Sequence, residues 1–183
     1  MNQAPVALEY RPGTFRPPTL QTLPAGVAAN VAAARARTAS TIMAVVKADG
    51  YGHGAVTVAQ AAVAAGARWL GTTSIAEARA LRAAGLAVPI LTWLHPDGID
   101  AEDAAAGRVD VAVASVDELA ALTARTGTSR RRPALRIRLN LDTGMARGGC
   151  QRGQWDELID LARRGRETGG VRVVGIMGHL ALA

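Results

Sequence analysis

Lysine is all but missing from this sequence. Of its 21 Lys and Arg residues, one, Lys47, is a lysine. Arginine is permanently protonated, so it serves on solvated faces but cannot attack a carbonyl. A lysine amine can be desolvated, lose its proton and condense with an aldehyde. The lone amine is therefore a candidate nucleophile. It lies in Val45-Val46-Lys47-Ala48-Asp49-Gly50-Tyr51-Gly52-His53-Gly54, an apolar run that breaks into a Gly-rich turn. That pattern sets the amine at the end of an expected strand, beside a loop able to approach a phosphate.

Aromatic residues are scarce too, at 3% of the 183 residues. With nearly half the chain apolar, the core is built from Ala, Val, Leu and Ile. This suits helices packed on a parallel sheet better than an aromatic-rich β-sandwich. A single cysteine, Cys150, excludes an internal disulfide, fits a reducing cytoplasm and reads as structural. No apolar run of about eighteen residues is present, so no membrane span is expected. The N-terminus lacks a basic segment followed by an apolar stretch, and so does not read as a signal peptide. No metal site is expected. The net charge of +6 raises the question of nucleic acid. Most arginines, however, are scattered through Ala-rich helical segments. The one dense cluster, Arg130-Arg131-Arg132, reads as a solvated loop, and aromatics suited to stacking bases are almost absent.

Residues 1–24 are Pro-rich and aperiodic, which predicts an extended or poorly ordered arm. From there helix and strand alternate. The sequence predicts a helix over 25–38, a strand over Thr41–Lys47, a helix over His53–Gly66 and a strand over Trp69–Thr73. A helix over Ser74–Ala84 opens on a capping box, Ser74 with Glu77. Then come a strand over Pro89–Leu94, a short acidic helix over Ile99–Ala106 and a strand over Val109–Ala114. A second capping box, Ser115 with Glu118, opens a helix to about Arg125. A strand over Leu135–Leu141, a helix over Gln154–Thr168 and a strand over Val171–Met177 close the series. Six short apolar strands in strict alternation with helices mean an α/β fold on a parallel sheet. The pattern leaves two architectures open, a doubly wound sheet and a (β/α)8 barrel. The turn after the first strand is not the dinucleotide-binding G-x-G-x-x-G, which weakens the first.

Three segments resemble the alanine racemase family. Val46–Gly54 is similar to its pyridoxal phosphate lysine motif, Leu141-Asp142-Thr143-Gly144-Met145-Ala146-Arg147 to its second motif, and Gly175-Ile176-Met177-Gly178-His179-Leu180 to its third. They stand in the family's order at approximately its spacing, and the resemblance covers roughly residues 25–183. It implies a (β/α)8 TIM-type barrel followed by a separate β-rich domain, a homodimer, pyridoxal 5'-phosphate as cofactor and alanine as substrate. D-alanine supply for peptidoglycan would be the purpose. Lys47 corresponds to the lysine that holds the cofactor as an imine and then exchanges a proton with one face of the substrate α-carbon. Tyr51 corresponds to the tyrosine that bonds the cofactor phosphate. Arg147 corresponds to the arginine near the phenolic oxygen, and His179 to the histidine that packs on the pyridine ring.

The chain also departs from the family. It ends at Ala183, after the sixth expected strand, whereas an eight-stranded barrel takes about 250 residues. Two strands and the C-terminal β domain are then absent, and with them the second proton-transfer tyrosine, which Tyr10 and Tyr51 do not match. A fragment of a longer racemase, half of a split enzyme and a decayed copy are three readings of this; the first is preferred, with weak or no activity expected of the 183 residues alone. Asn140 stands where many members carry a carbamylated lysine, so a bound anion such as chloride would partner Arg147. Other functions stay open: a non-catalytic barrel that binds pyridoxal phosphate, a racemase of broader specificity and, more distantly, a basic nucleic-acid-associated domain.

Overall fold

The computed structural model describes residues 21–126 and 134–180. The Arg130–Arg132 cluster and residues 1–20 of the expected arm lie outside the described residues. Within them, six strands are interleaved with seven α-helical segments and a single 3-10 turn at Arg152–Gln154. The chain runs α1 (Pro24–Arg35), β1 (Met43–Val45), α2 (Lys47–Tyr51), α3 (Ala55–Ala64), β2 (Trp69–Thr72), α4 (Ile75–Ala83) and β3 (Ile90–Thr92). It continues through α5 (Ala101–Ala106), β4 (Val109–Val113), α6 (Val116–Thr126), β5 (Leu135–Leu141), α7 (Trp155–Glu167) and β6 (Val171–Gly178).

The strands form one parallel sheet in the order β1-β2-β3-β4-β5-β6. This order chooses between the two architectures. A doubly wound sheet reverses its strand order at a switch point, whereas each strand here is laid on the same side of the last, as around a barrel wall. The described residues thus form five β/α units and a sixth strand of a (β/α)8-type barrel.

The strand sequences show why. Every residue of β3 and β4 is buried, as expected of strands covered on both faces. In β5 the alternation is clean: Leu135, Ile137 and Leu139 are buried, and Arg136, Arg138 and Asn140 are partly open. The buried set joins Val111, Val113, Leu119 and Leu158 in the layer between sheet and helices. A second cluster, Val46, Leu70, Leu81, Ile90 and Val109, continues that layer under the first three strands. Each fully buried Leu or Ile contributes about 1.5–3 kcal/mol.

The opposite face of the sheet is tight and partly polar. Gly71 leaves room for its neighbours, since a Cβ there would lie 2.8 Å from Trp93 and 3.1 Å from the Met43 sulfur. Asp110, 2% exposed, accepts from Arg136 Nε at 2.6 Å and Arg136 Nη2 at 3.2 Å. Arg138 approaches the same carboxylate at 3.6 Å and lies over the Trp69 ring, 4.5 Å from its centroid.

Helix ends follow the sequence signals. The Ser74 hydroxyl accepts from the Glu77 N–H, completing the expected capping box, and Asp100 caps α5 through the N–H groups of Glu102 and Asp103. In the second box the Ser115 hydroxyl accepts from the Glu118 N–H, while the Glu118 carboxylate takes the Ala114 N–H at 2.6 Å. Boundaries differ from expectation mainly at the first strand, which is ordered as β only over Met43–Val45, and at α3, which begins at Ala55. Among the described residues, no helix is long and apolar enough to cross a membrane.

Candidate functional site

In a parallel sheet all strands end on one rim, and barrel chemistry gathers at that C-terminal rim. Lys47, Tyr51, Arg147 and His179 all follow the ends of strands, the first pair after β1, Arg147 in the loop after β5 and His179 after β6.

Lys47 does not sit within its strand. The ladder continues one residue past β1, with the Val46 N–H donating to Gly71 O at 2.9 Å. The chain then turns with the opposite hand. Ala48, Asp49, Gly50 and Tyr51 have φ of +53°, +52°, +61° and +55°. Left-handed helical backbone costs an L-residue about 1–2 kcal/mol each, so this turn must be held by its surroundings. Several bonds do so. Gly50 N–H donates to Val46 O at 3.0 Å and Gly54 N–H to Asp49 O at 2.9 Å. The Asp49 carboxylate accepts the Ala55 N–H at 2.7 Å, fastening the turn to the start of α3. The Ala48 N–H donates to Glu77 Oε1 at 2.7 Å. The Thr22 hydroxyl donates to His53 O at 2.8 Å, tying the segment before α1 to the same loop. The result presents Lys47 half-buried, with Nζ 5.7 Å from the centroid of the Tyr51 ring, and leaves Tyr51 69% exposed. His53 lies exposed in the turn, ahead of the helix it was expected to start.

The loop after β5 is folded back on its strand. Asp142 N–H donates to Cys150 O at 2.9 Å and Cys150 N–H to Asn140 O at 2.7 Å. This closure requires glycine at 149. Its φ is +94°, and a Cβ would lie 2.7 Å from Asp142 N and 2.8 Å from the Leu141 carbonyl carbon. Within the loop the Asp142 carboxylate accepts from Gly144 N–H at 2.9 Å and Ala146 N–H at 3.1 Å. The Gly144 bond, followed by those of Ala146 and Met145, holds this carboxyl below the usual aspartate range. Arg147 leaves the loop and meets His179, with Nη2 3.1 Å from Nε2. The Thr143 hydroxyl donates to His179 O at 3.0 Å, so the two motifs are joined by backbone as well as side chain. Asn140 pairs in register with Met177, and no hydrogen bond joins it to Arg147 among the described residues. Cys150 is buried beneath this loop; burial, then the charge of Glu157, pushes its thiol pKa up, which suppresses thiolate chemistry.

Three features of the rim and wall escape motif reading. Glu77 was legible as a helix cap but not as a partner of the Lys47 turn. The His95 side chain, after β3, is buried, with Nε2 2.9 Å from the Thr92 hydroxyl and Nδ1 3.6 Å from Glu118. The Asp110–Arg136–Arg138 cluster needs the register of β4 on β5 to be seen. Its only local signal is an arginine at alternate positions of an otherwise apolar strand.

The donor set at the rim is an amine, a phenol, a guanidinium and an imidazole acceptor. It suits an aldehyde that also carries acidic oxygens. No group of three or more metal-ligating side chains occurs among the described residues.

Comparison with known proteins agrees with the motif order. A family model, the N-terminal domain of alanine racemase, matches residues 24–183. The alanine racemase of Streptomyces coelicolor is 47% identical over 167 residues, 87% of this chain and 42% of that protein. In the crystal structure of alanine racemase from the D-cycloserine-producing Streptomyces lavendulae, 41% of that chain superposes on 87% of this one at 41% identity and a TM-score of 0.76. The alanine racemase of Bartonella henselae, crystallised with covalently bound pyridoxal phosphate, superposes with a TM-score of 0.72 at 25% identity, covering 87% of this chain and 45% of that one. The chain thus spans well under half the length of these relatives. By the family model, the sequence identities and the shared sheet, it belongs to the alanine racemase family.

Proposed function

We propose that these residues are the N-terminal barrel portion of a pyridoxal 5'-phosphate-dependent alanine racemase, interconverting L- and D-alanine in the cytoplasm and supplying D-alanine for peptidoglycan. The observation that carries the reading is that two contacting pairs of side chains both follow strand ends on the same rim. Lys47 stands by Tyr51 after β1, and Arg147 is bonded to His179 across the ends of β5 and β6. The Bartonella henselae relative carries its pyridoxal phosphate covalently.

The residues fit that group. Lys47 carries the one side-chain amine of these 183 residues able to bond its aldehyde, and exposed Tyr51 offers a hydroxyl for its phosphate. Arg147 is a fixed cation for its phenolic oxygen, and the His179 ring, held by Arg147, offers a flat face to its pyridine. Asn140 and Arg147 are the proposed neighbours of a bound anion. When bound, pyridoxal phosphate supplies a sink for the electron pair left on the substrate α-carbon.

The chain's own work is proton handling and positioning. Lys47 Nζ, as a free amine, takes the α-proton from one face of alanine or returns it there. Inversion needs a second acid or base on the opposite face. We assign it to the remainder of the protein and to its partner in a homodimer, so the 183-residue chain alone is expected to racemise weakly or not at all.

Deuterium incorporation tests the reading. The full-length protein loaded with pyridoxal phosphate should introduce solvent deuterium at Cα of both enantiomers when started from either. Labelling of the starting enantiomer without appearance of the other would show cofactor binding without racemisation and would reject the assignment.

A further inference from the structure

We propose that Glu77 is a positioning residue for the Lys47 amine: by accepting the Ala48 N–H, it holds the left-handed turn that presents Lys47 at the rim. The inference rests on Lys47 being the reactive amine and extends that reading to a residue on the next β/α unit.

A glutamate at the third position of a helix ordinarily completes a capping box by accepting the N-cap N–H. Here that bond, from Ser74 N–H, is the longest of four, at 3.3 Å. Oε2 also accepts the Thr73 N–H at 2.8 Å and the Thr73 hydroxyl at 2.7 Å. Oε1 is turned away from the helix altogether and takes the Ala48 N–H at 2.7 Å. One carboxylate thus joins the end of β2 to the first amide after Lys47. That amide opens a run of five residues with positive φ, Ala48 to Gly52, three of which are not glycine. The run is unfavourable for an isolated chain, and Ala48 has left the β1–β2 ladder. Its N–H, if not accepted by Glu77, would have no ladder partner to replace it.

The second capping box shows the same reach applied to a different target. Glu118 takes the Ala114 N–H at 2.6 Å and aims its other oxygen at His95, in the loop after the preceding strand, at 3.6 Å. Each glutamate links its own strand end to the loop before it, but the loop Glu77 holds is the one that carries the amine.

The test uses the full-length protein with Glu77→Ala, Glu77→Asp and Ser74→Ala. Ser74→Ala weakens the same helix start without touching the Ala48 bond. Glu77→Asp keeps a carboxylate, is expected to preserve the fold, and is one methylene too short to reach Ala48. The first readout needs no cofactor: hydrogen exchange at the Ala48 amide. The second is the rate at which pyridoxal phosphate becomes borohydride-trappable on Lys47. Both Glu77 variants should lower Ala48 protection by about tenfold or more and slow capture on Lys47 roughly ten- to a hundredfold. Ser74→Ala should leave both near wild type. Equal effects in Ser74→Ala and the Glu77 variants, or an Ala48 amide as protected in the Glu77 variants as in wild type, would overturn the proposal. If wild type itself captures no pyridoxal phosphate on Lys47, the functional reading falls, and the Ala48 amide alone decides whether Glu77 holds the turn.

Discussion

Arg147 donates from Nη2 to Nε2 of His179 across 3.1 Å, linking the loop after β5 to the residue that follows β6. A guanidinium has donors only, so the imidazole nitrogen facing it must be an acceptor. The contact therefore selects the tautomer with Nε2 as acceptor and the proton on Nδ1. Nitrogen chemical shifts of the His179 ring should report that tautomer in the folded protein. In Arg147→Ala the constraint disappears, and the Nε2–H form should become populated. A wild-type ring carrying its proton on Nε2 would show that this contact is not made in solution.

Gly149→Ala should damage the same region through backbone alone. The added Cβ meets Asp142 N and the Leu141 carbonyl carbon at under 3 Å, in a residue with φ +94°. Strain at such positions costs about 1–3 kcal/mol. The Leu141–Cys150 bridge should loosen and take Arg147 with it. Thermal unfolding should show the stability loss, and the His179 ring shifts should move toward those of Arg147→Ala. Gly153→Ala, where a Cβ meets nothing within 4 Å, is the control and should change neither.

Much of this was legible in the chain. Short Val, Ile and Leu runs separated by Gly stops and Ser caps predicted all six strands in order, because β3 and β4 are buried throughout and β5 keeps an unbroken apolar face toward the helices. The alternation could not choose the barrel, since strand order is a property of the sheet and not of any one unit. Nor could it place the end of β1. The ladder with Trp69–Gly71 ends at Val46, whose N–H still reaches Gly71 O, and Ala48 and Asp49 then adopt positive φ without a glycine to announce it. The Glu77–Ala48 bond and the Asp110–Arg136 pair were hidden for a shared reason. Both join residues on neighbouring strands or loops 26 or more positions apart, and only register brings them together.

Asp110 is expected to be a stability residue. It is almost wholly buried and neutralises Arg136, with Arg138 close by. Removing one partner of a buried pair costs about 3–5 kcal/mol. Arg136 remains 42% exposed and can rehydrate, so Asp110→Asn should cost less, roughly 1–3 kcal/mol. Chemical denaturation of Asp110→Asn against wild type measures it. Arg136→Ala in the Asp110→Asn background should add little.

Glu77 should also shape the acid limb of stability. Burial pushes its pKa up, but the hydrogen bonds from Thr73, Ala48 and Ser74 together outweigh this and hold it below the ordinary value. A carboxyl depressed by folding stabilises the protein above its unfolded pKa, about 4.3 for glutamate, and that contribution is lost as pH falls toward the folded value. Unfolding free energy measured from pH 6 downward should therefore decline more steeply below about 4.3 in wild type than in Glu77→Gln. Parallel acid limbs would contradict this.

The central claim is that the chain's one lysine is the anchor for pyridoxal phosphate, and peptide mapping tests it most directly. The full-length protein is loaded with pyridoxal phosphate, reduced with borohydride and digested. The account predicts a pyridoxyl group on the peptide containing Lys47 and none on the corresponding peptide of Lys47→Arg. A folded, loaded protein whose label lies elsewhere, with Lys47 unmodified, would contradict it.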